Sequence, residues 1–211
     1  MKTGLSFTVL VCLLSLCAYS QILLEDDFSS NTSDSWTTSG TLGTIFNVSR
    51  SGNDWGARRA LIGRLELTND TSASVPNVNG WVFVNAPVSA LGSNFNPILN
   101  QNAKKIEWVL NLQQIRTDPA GVGSTSSYGV AFVLCSTTNT ILDNASAKGY
   151  AIVLGETGSL DPIRLVTFSG GLNGMLSPII ISHTDGLSDF GNEYLSLKVV
   201  YDPVNSNWTL F

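Results

Sequence analysis

The chain has 211 residues but only one histidine, three cysteines and two methionines, and charged residues make up only 13% of it. Each shortage excludes a class of function. His183 is the sole imidazole, so no multi-histidine metal centre can form, and zinc held by one histidine and one cysteine is a poor donor set. A Ser-His-Asp triad would have to use His183, and no Gly-x-Ser-x-Gly elbow accompanies it, so a solvated loop histidine is the reading favoured. There is no basic cluster, which argues against nucleic acid and anionic membrane surfaces as partners. Beyond the first twenty residues no stretch repeats at helical spacing.

The opening MKTGLSFTVLVCLLSLCAYSQ has a positive Lys2, an apolar run from Leu5 to Leu16, and small residues at Ala18 and Ser20. That is the pattern of a secretory signal peptide at 1–20, cut after Ser20. The run is too short for an ordinary membrane span. A lipoprotein signal is disfavoured, because Val11 and Leu16 precede Cys12 and Cys17 where a small residue is wanted. Removal of this leader leaves Cys135 alone, with no internal disulfide available. Cys135 ends the apolar run Val130 to Leu134, which reads as a buried, inert thiol. Loss of Lys2 turns 11 basic and 16 acidic residues into 10 and 16, a net charge of −6. The remaining domain, 21–211, is about 190 residues, enough to bury a core without cross-links.

Period-two alternation runs through that domain. Lys105 to Arg116 puts Ile106, Trp108, Leu110 and Leu112 on one face and Lys105, Glu107, Asn111 and Gln113 on the other, with Val109 the exception. From Ser127 to Phe168 three apolar runs follow, and both faces of the first, Tyr128 to Cys135, look covered, which predicts a central strand. Further strands are predicted at Ile22 to Phe28, Thr44 to Val48, Ala60 to Thr68, Trp81 to Val84, Pro178 to Ile181, Tyr194 to Tyr201 and Asn207 to Phe211. About ten strands with regular turns specify an all-β, two-sheet antiparallel sandwich. Val75 to Asn79 and Gly121 to Ser127 read as connections. The last residues, Trp208 to Phe211, look like the interior of a strand, so further domains C-terminal to Phe211 are expected.

Few residues suggest chemistry. Asp26 and Asp27 could give oxygens to calcium, against the plainer reading of a polar strand end; Asp161 is a lesser candidate. Trp55, in the loop Gly52 to Gly56, is the tryptophan best placed for exposure, whereas Trp81, Trp108 and Trp208 read as core. Glu107, Asn111 and Gln113 share a polar strand face that a ligand or solvent would meet, and Arg64 and Glu66 are candidates for the same surface. Five Asn-x-Ser/Thr sequons, at Asn31, Asn47, Asn69, Asn144 and Asn207, are as many as chance explains at this Asn, Ser and Thr content.

Three segments in order, Trp108 to Leu112, Ser127 to Leu154 (SYGVAFVLCS…GYAIVLGE) and Tyr194 to Phe211 (YLSLKVVYDPVNSNWTLF), resemble the concanavalin A-like (laminin G / L-type lectin) jelly-roll domains. The opening DDFSS…W is similar to the start of such domains in exported multidomain bacterial proteins of the Bacteroidetes type. The resemblance implies a concanavalin A-like jelly roll, secreted or on the cell surface, and a non-catalytic carbohydrate-binding or adhesion module with a glycan partner and structural calcium. Under it, Trp55, Arg64, Glu107, Asn111 and Gln113 are the ligand-binding candidates, and Asp26 and Asp27 the metal candidates. The superfamily also holds glycoside hydrolases. Their Glu-x-Asp-x-x-Glu strand is missing here, which leaves Glu107 or Glu156 as carboxylates for a divergent hydrolase. A structural spacer domain is the third reading.

Overall fold

The structure, a computed structural model, describes residues 21–69, 80–114, 119–122, 129–142, 144–158, 160–172, 175–180 and 194–211. The predicted leader at 1–20, the connections Val75 to Asn79 and 123–127, Tyr128 and His183 lie outside the described residues. The described chain is all-β, with twelve strands: β1 (Gly40–Leu42), β2 (Phe46–Ser51), β3 (Gly56–Ala60), β4 (Arg64–Thr68), β5 (Trp81–Asn85), β6 (Ile106–Gln113), β7 (Val130–Ser136), β8 (Lys148–Leu154), β9 (Ile163–Ser169), β10 (Met175–Ile180), β11 (Tyr194–Asp202) and β12 (Asn207–Leu210). The polar connection from Ala86 to Asn102 carries only two single-turn 3₁₀ helices, Val88–Leu91 and Leu99–Gln101. All strand pairing is antiparallel, in sheets ordered β10-β9-β8-β7, β12-β11-β6, β1-β2-β5 and β3-β4.

Strands β8 and β9 are apolar on both sides, and both sides are buried. Ile152, Leu154, Ile163 and Leu165 face Leu197, Val199 and Leu210 of β11 and β12, with Trp108, Leu110 and Leu112 of β6 packed alongside. The sheets β10-β9-β8-β7 and β12-β11-β6 therefore meet face to face, as in a β-sandwich. An aromatic group ties them together. Trp208 stacks on Trp108 at 5.7 Å and lies 4.7 Å from Tyr201, both from its own sheet, and 4.6 Å from Tyr150 of the opposite one. On the reverse side, Ala151, Val153, Val166 and Phe168 pack under Ile141, Ala147 and Leu172, with Phe83 of β5 against them. Gly155, just past β8, has φ +75° and bridges to Ala120; a Cβ there would collide with the Pro119 carbonyl, so only glycine lets those two chain segments touch.

Three expectations are corrected. The run Val130 to Cys135 is not central: β7 ends the order of its sheet among the described residues, is mostly half-buried, and breaks register between Val133 and Cys135. The inner strands are β8 and β9, whose residues are the buried ones. Ala60 to Thr68 is not one strand. Gly63, at φ +73°, donates its N–H to the Ala60 carbonyl, turns the chain at 61–63 and leaves Leu61 and Ile62 exposed at a hairpin tip between β3 and β4. Ile22 to Phe28 forms no strand; Asp26 and Phe28 hold the segment through side chains.

The two faces of the sandwich should respond differently to truncation. Ile152 is 0% exposed and Val109, on the far side of the paired sheet, is 74% exposed. Ile152→Ala is expected to cost about 2–5 kcal/mol and Val109→Ala less than about 0.5 kcal/mol in urea unfolding. Similar losses from both would mean that the strands face the wrong way.

Candidate functional site

The side of β12-β11-β6 that faces away from the core is polar and open. Along β6, Glu107, Val109 and Asn111 project from it, opposite Val200, Lys198 and Ser196 of β11; Gln113 pairs with Tyr194. Cross-strand bonds hold this surface flat: Lys198 Nζ lies 2.9 Å from Glu107 Oε2, and Ser196 Oγ donates to Asn111 Oδ1 at 2.8 Å.

The β3–β4 hairpin reaches this face at one corner. Arg64 points its Nη1 at the Tyr194 hydroxyl, 3.5 Å away and 130 residues distant in sequence. The Arg64 Nε donates to Glu66 Oε1 at 2.5 Å, and its Nη2 reaches the same oxygen. Arg58, opposite Glu66 in the hairpin register, takes the other oxygen through Nε at 2.7 Å. The Arg58 guanidinium lies 4.2 Å from the centre of the Trp36 ring. Contacts thus run from Trp36 to Arg58, Glu66, Arg64 and Tyr194, and Gln113 lies opposite Tyr194 in the β11–β6 register. Burial works to raise the Glu66 pKa, and the hydrogen bonds from Arg58 and Arg64 outweigh it, so the carboxyl stays below its ordinary range. The Tyr194 hydroxyl and then Glu66 push Arg64 above its own.

Of the polar ligand candidates, Glu107 and Asn111 project from the outward face of β6, Gln113 pairs with Tyr194, and Arg64, with Glu66 beside it, reaches that face at the Tyr194 hydroxyl. Trp55 does not join them. Gly56 pairs with Thr68 and Ala60 with Arg64, which puts Trp55 at the opposite end of the hairpin from Arg64. Nor does it project as expected: it is half-buried, and its indole nitrogen packs so closely on Gly80 that a Cβ there would lie 2.7 Å from it. Tyr194, Lys198 and Arg58 were missed as parts of the site. Alternation alone places Tyr194 and Lys198 on the outward side of β11, and that signal was available; nothing in spacing joins β11 to the hairpin.

Asp26 and Asp27 have other work. Asp26 takes Arg59 in a two-pronged pair, Nη2 to Oδ1 at 2.7 Å and Nη1 to Oδ2 at 2.8 Å, and accepts the Phe28 N–H at 2.7 Å. Arg59, 2% exposed, also donates from Nε to the Ser30 carbonyl. The Arg59 hydrogen bonds hold Asp26 below the usual carboxylate range. Asp27 accepts from the Ser29 N–H and hydroxyl, bonds that lower it too. A carboxylate spent on a guanidinium is a poor start for calcium, which needs six to eight oxygens, and among the described residues no three His, Cys, Asp or Glu side chains gather as a metal set.

The hydrolase carboxylates stay apart in kind. Glu107 pairs with Lys198 on the outward sheet, while Glu156 follows β8 in the other sheet, 3.9 Å from Arg164; Asp161 is fully buried. Cys135 is half-buried rather than buried, and that cover still pushes its thiol up to about 11. No family model, curated protein or solved structure matches the chain.

Two outcomes are expected. Asp26→Ala leaves an enclosed guanidinium without its counter-charge and costs about 3 kcal/mol at neutral pH. Because the folded Asp26 pKa lies below the unfolded one, its stabilisation is full above the ordinary carboxylate pKa of 3.8 and fades as pH falls through that value and then the folded one. The wild-type melting temperature therefore drops on acidification more steeply than that of Asp26→Asn; parallel profiles would discount the pair. Cys135 should resist a thiol reagent near pH 8 in the native protein and react promptly in denaturant; fast native labelling would contradict its burial.

Proposed function

We propose that residues 21–211 are a non-catalytic carbohydrate-binding or adhesion module of concanavalin A-like jelly-roll type, exported behind the 1–20 leader and acting at the cell surface or outside the cell within a larger protein. The observation that carries this reading is the outward face on which exposed Tyr194 has the Gln113 and Asn111 amides beside it and the Arg64 guanidinium at its hydroxyl. A sugar presents an apolar ring face and a rim of hydroxyls that both donate and accept. An exposed aromatic ring beside two amides, a hydroxyl and a guanidinium complements both properties. Tyr194 is 61% exposed at the middle of this surface, and its polar neighbours are held by cross-strand bonds. The face-to-face packing of two antiparallel sheets supports the jelly-roll assignment.

The test is a glycan array probed with the folded, leader-free chain, with and without calcium. Binding is expected to weaken at least about tenfold in Tyr194→Ala and in Asn111→Ala, and to survive Trp55→Ala if that variant folds. No glycan bound by a demonstrably folded protein would remove the reading and leave a spacer role.

A further inference from the structure

We propose that the saccharide taken by this surface is anionic, bearing carboxylate or sulfate groups, and that Arg64 is the side chain that meets the charge. The inference rests on the glycan reading and deepens it.

Three facts lead there. First, two guanidiniums, Arg58 and Arg64, share one carboxylate, Glu66. Further along the face Lys198 and Glu107 balance each other. Second, the positive member is the one turned to solvent. The Arg64 side chain is 45% exposed and that of Glu66 only 16%. An arriving ligand meets guanidinium first, with the carboxylate shielded beneath it. Third, the protein as a whole is acidic, with a net charge of −5. A cationic spot on such a surface is not background, and it would focus an anion onto one place.

The geometry suits the class. Arg64 spends Nε and Nη2 on a single oxygen of Glu66, so the plane of its guanidinium is fixed before any ligand arrives. Its remaining edge faces the Tyr194 hydroxyl, where a sugar ring lying on the tyrosine would bring an acidic substituent. A planar fork of N–H donors recognises carboxylate and sulfate oxygens better than any neutral group does. Carboxylate and sulfate share this chemistry, so the experiment separates them.

The leader-free chain would be titrated calorimetrically with polygalacturonate oligosaccharides, sulfated galactan oligosaccharides without carboxylates, and neutral xylo- and manno-oligosaccharides of equal length. Each is run at about 50 mM and about 500 mM NaCl, since screening separates charge from ring contact. At low salt at least one acidic series should bind ten times or more tighter than the neutral ones, and that advantage should shrink at high salt. Arg64→Gln should remove the advantage, Arg64→Lys should restore part of it, and Glu66→Gln, which unmasks a charge, should increase it. Which acidic series binds identifies the anion. Neutral sugars bound as tightly as acidic ones, with Arg64→Gln unchanged, would overturn this inference and leave glycan binding standing. A folded protein that binds none of the series would overturn both.

Discussion

The structure depends on one constraint: strands β8 and β9 are apolar on both faces. Ala151, Ile152, Val153 and Leu154 are consecutive and all buried, as are Leu165 and Val166. A strand of this kind cannot end a sandwich; it must have cover on each side. On one side the cover is a second sheet, β12-β11-β6, whose own strands alternate and so have only one apolar face to offer. Its other face has to be wet. The outward surface with Tyr194, Asn111 and Glu107 is thus a by-product of core closure, and it is held rigid because its reverse side is the main core. On the opposite side the cover comes from Ile141, Ala147, Leu172 and Phe83, the last of which brings β5 and with it the β1-β2-β5 sheet onto the domain.

Local pattern carried most of this. The alternation of β6 and β11 was legible because period two survives in a strand with one wet face, and the inward set of Leu195, Leu197, Val199 and Tyr201 follows from it directly. Three features were not legible from local pattern. A strand covered on both faces and an edge strand under a partial cover have the same apolar composition, so β7 reads as central although β8 is the inner strand. Alternation also runs straight through a tight turn. Leu61 continues the phase of Leu65 and Leu67, yet Gly63 at φ +73° reverses the chain, and the leucine that fits the pattern is exposed at the tip. The Ile22 to Phe28 error has a different origin: its apolar residues resemble a strand, but its fastening is Asp26 to Arg59, a contact 33 residues away that no local pattern encodes.

The site divides in the same way. Its β6 half was readable, since the polar residues of an amphipathic strand declare themselves. Its hairpin half was readable only as single residues. Arg64 and Glu66 look like an ordinary solvated pair until Arg58 is found opposite Glu66 and Tyr194 is found beyond Arg64. Trp55 misled because a tryptophan among Gly, Asn and Asp looks like a projecting ring. The glycine at position 80, far along the chain, leaves the room that lets its indole turn inward.

The two arginine–carboxylate arrangements on the hairpin differ in consequence because they differ in exposure. Arg59, its side chain 3% exposed, is enclosed, so loss of Asp26 strands a charge that water does not reach. Arg64, its side chain 45% exposed, meets solvent, where an ion pair contributes roughly 0–1 kcal/mol, too little to account for the hairpin's stability. That stability comes instead from Ala57 and Leu65 against Leu42 and Val48. What the exposed pair does supply is order. An arginine free in solvent loses about 0.5–1.5 kcal/mol of side-chain freedom when a ligand immobilises it. Arg64, already held by Glu66, gives up less of it. The same carboxylate that weakens the positive field of the surface therefore lowers the entropy cost of using it, and the shared grip of Arg58 keeps Glu66 from cancelling Arg64 outright.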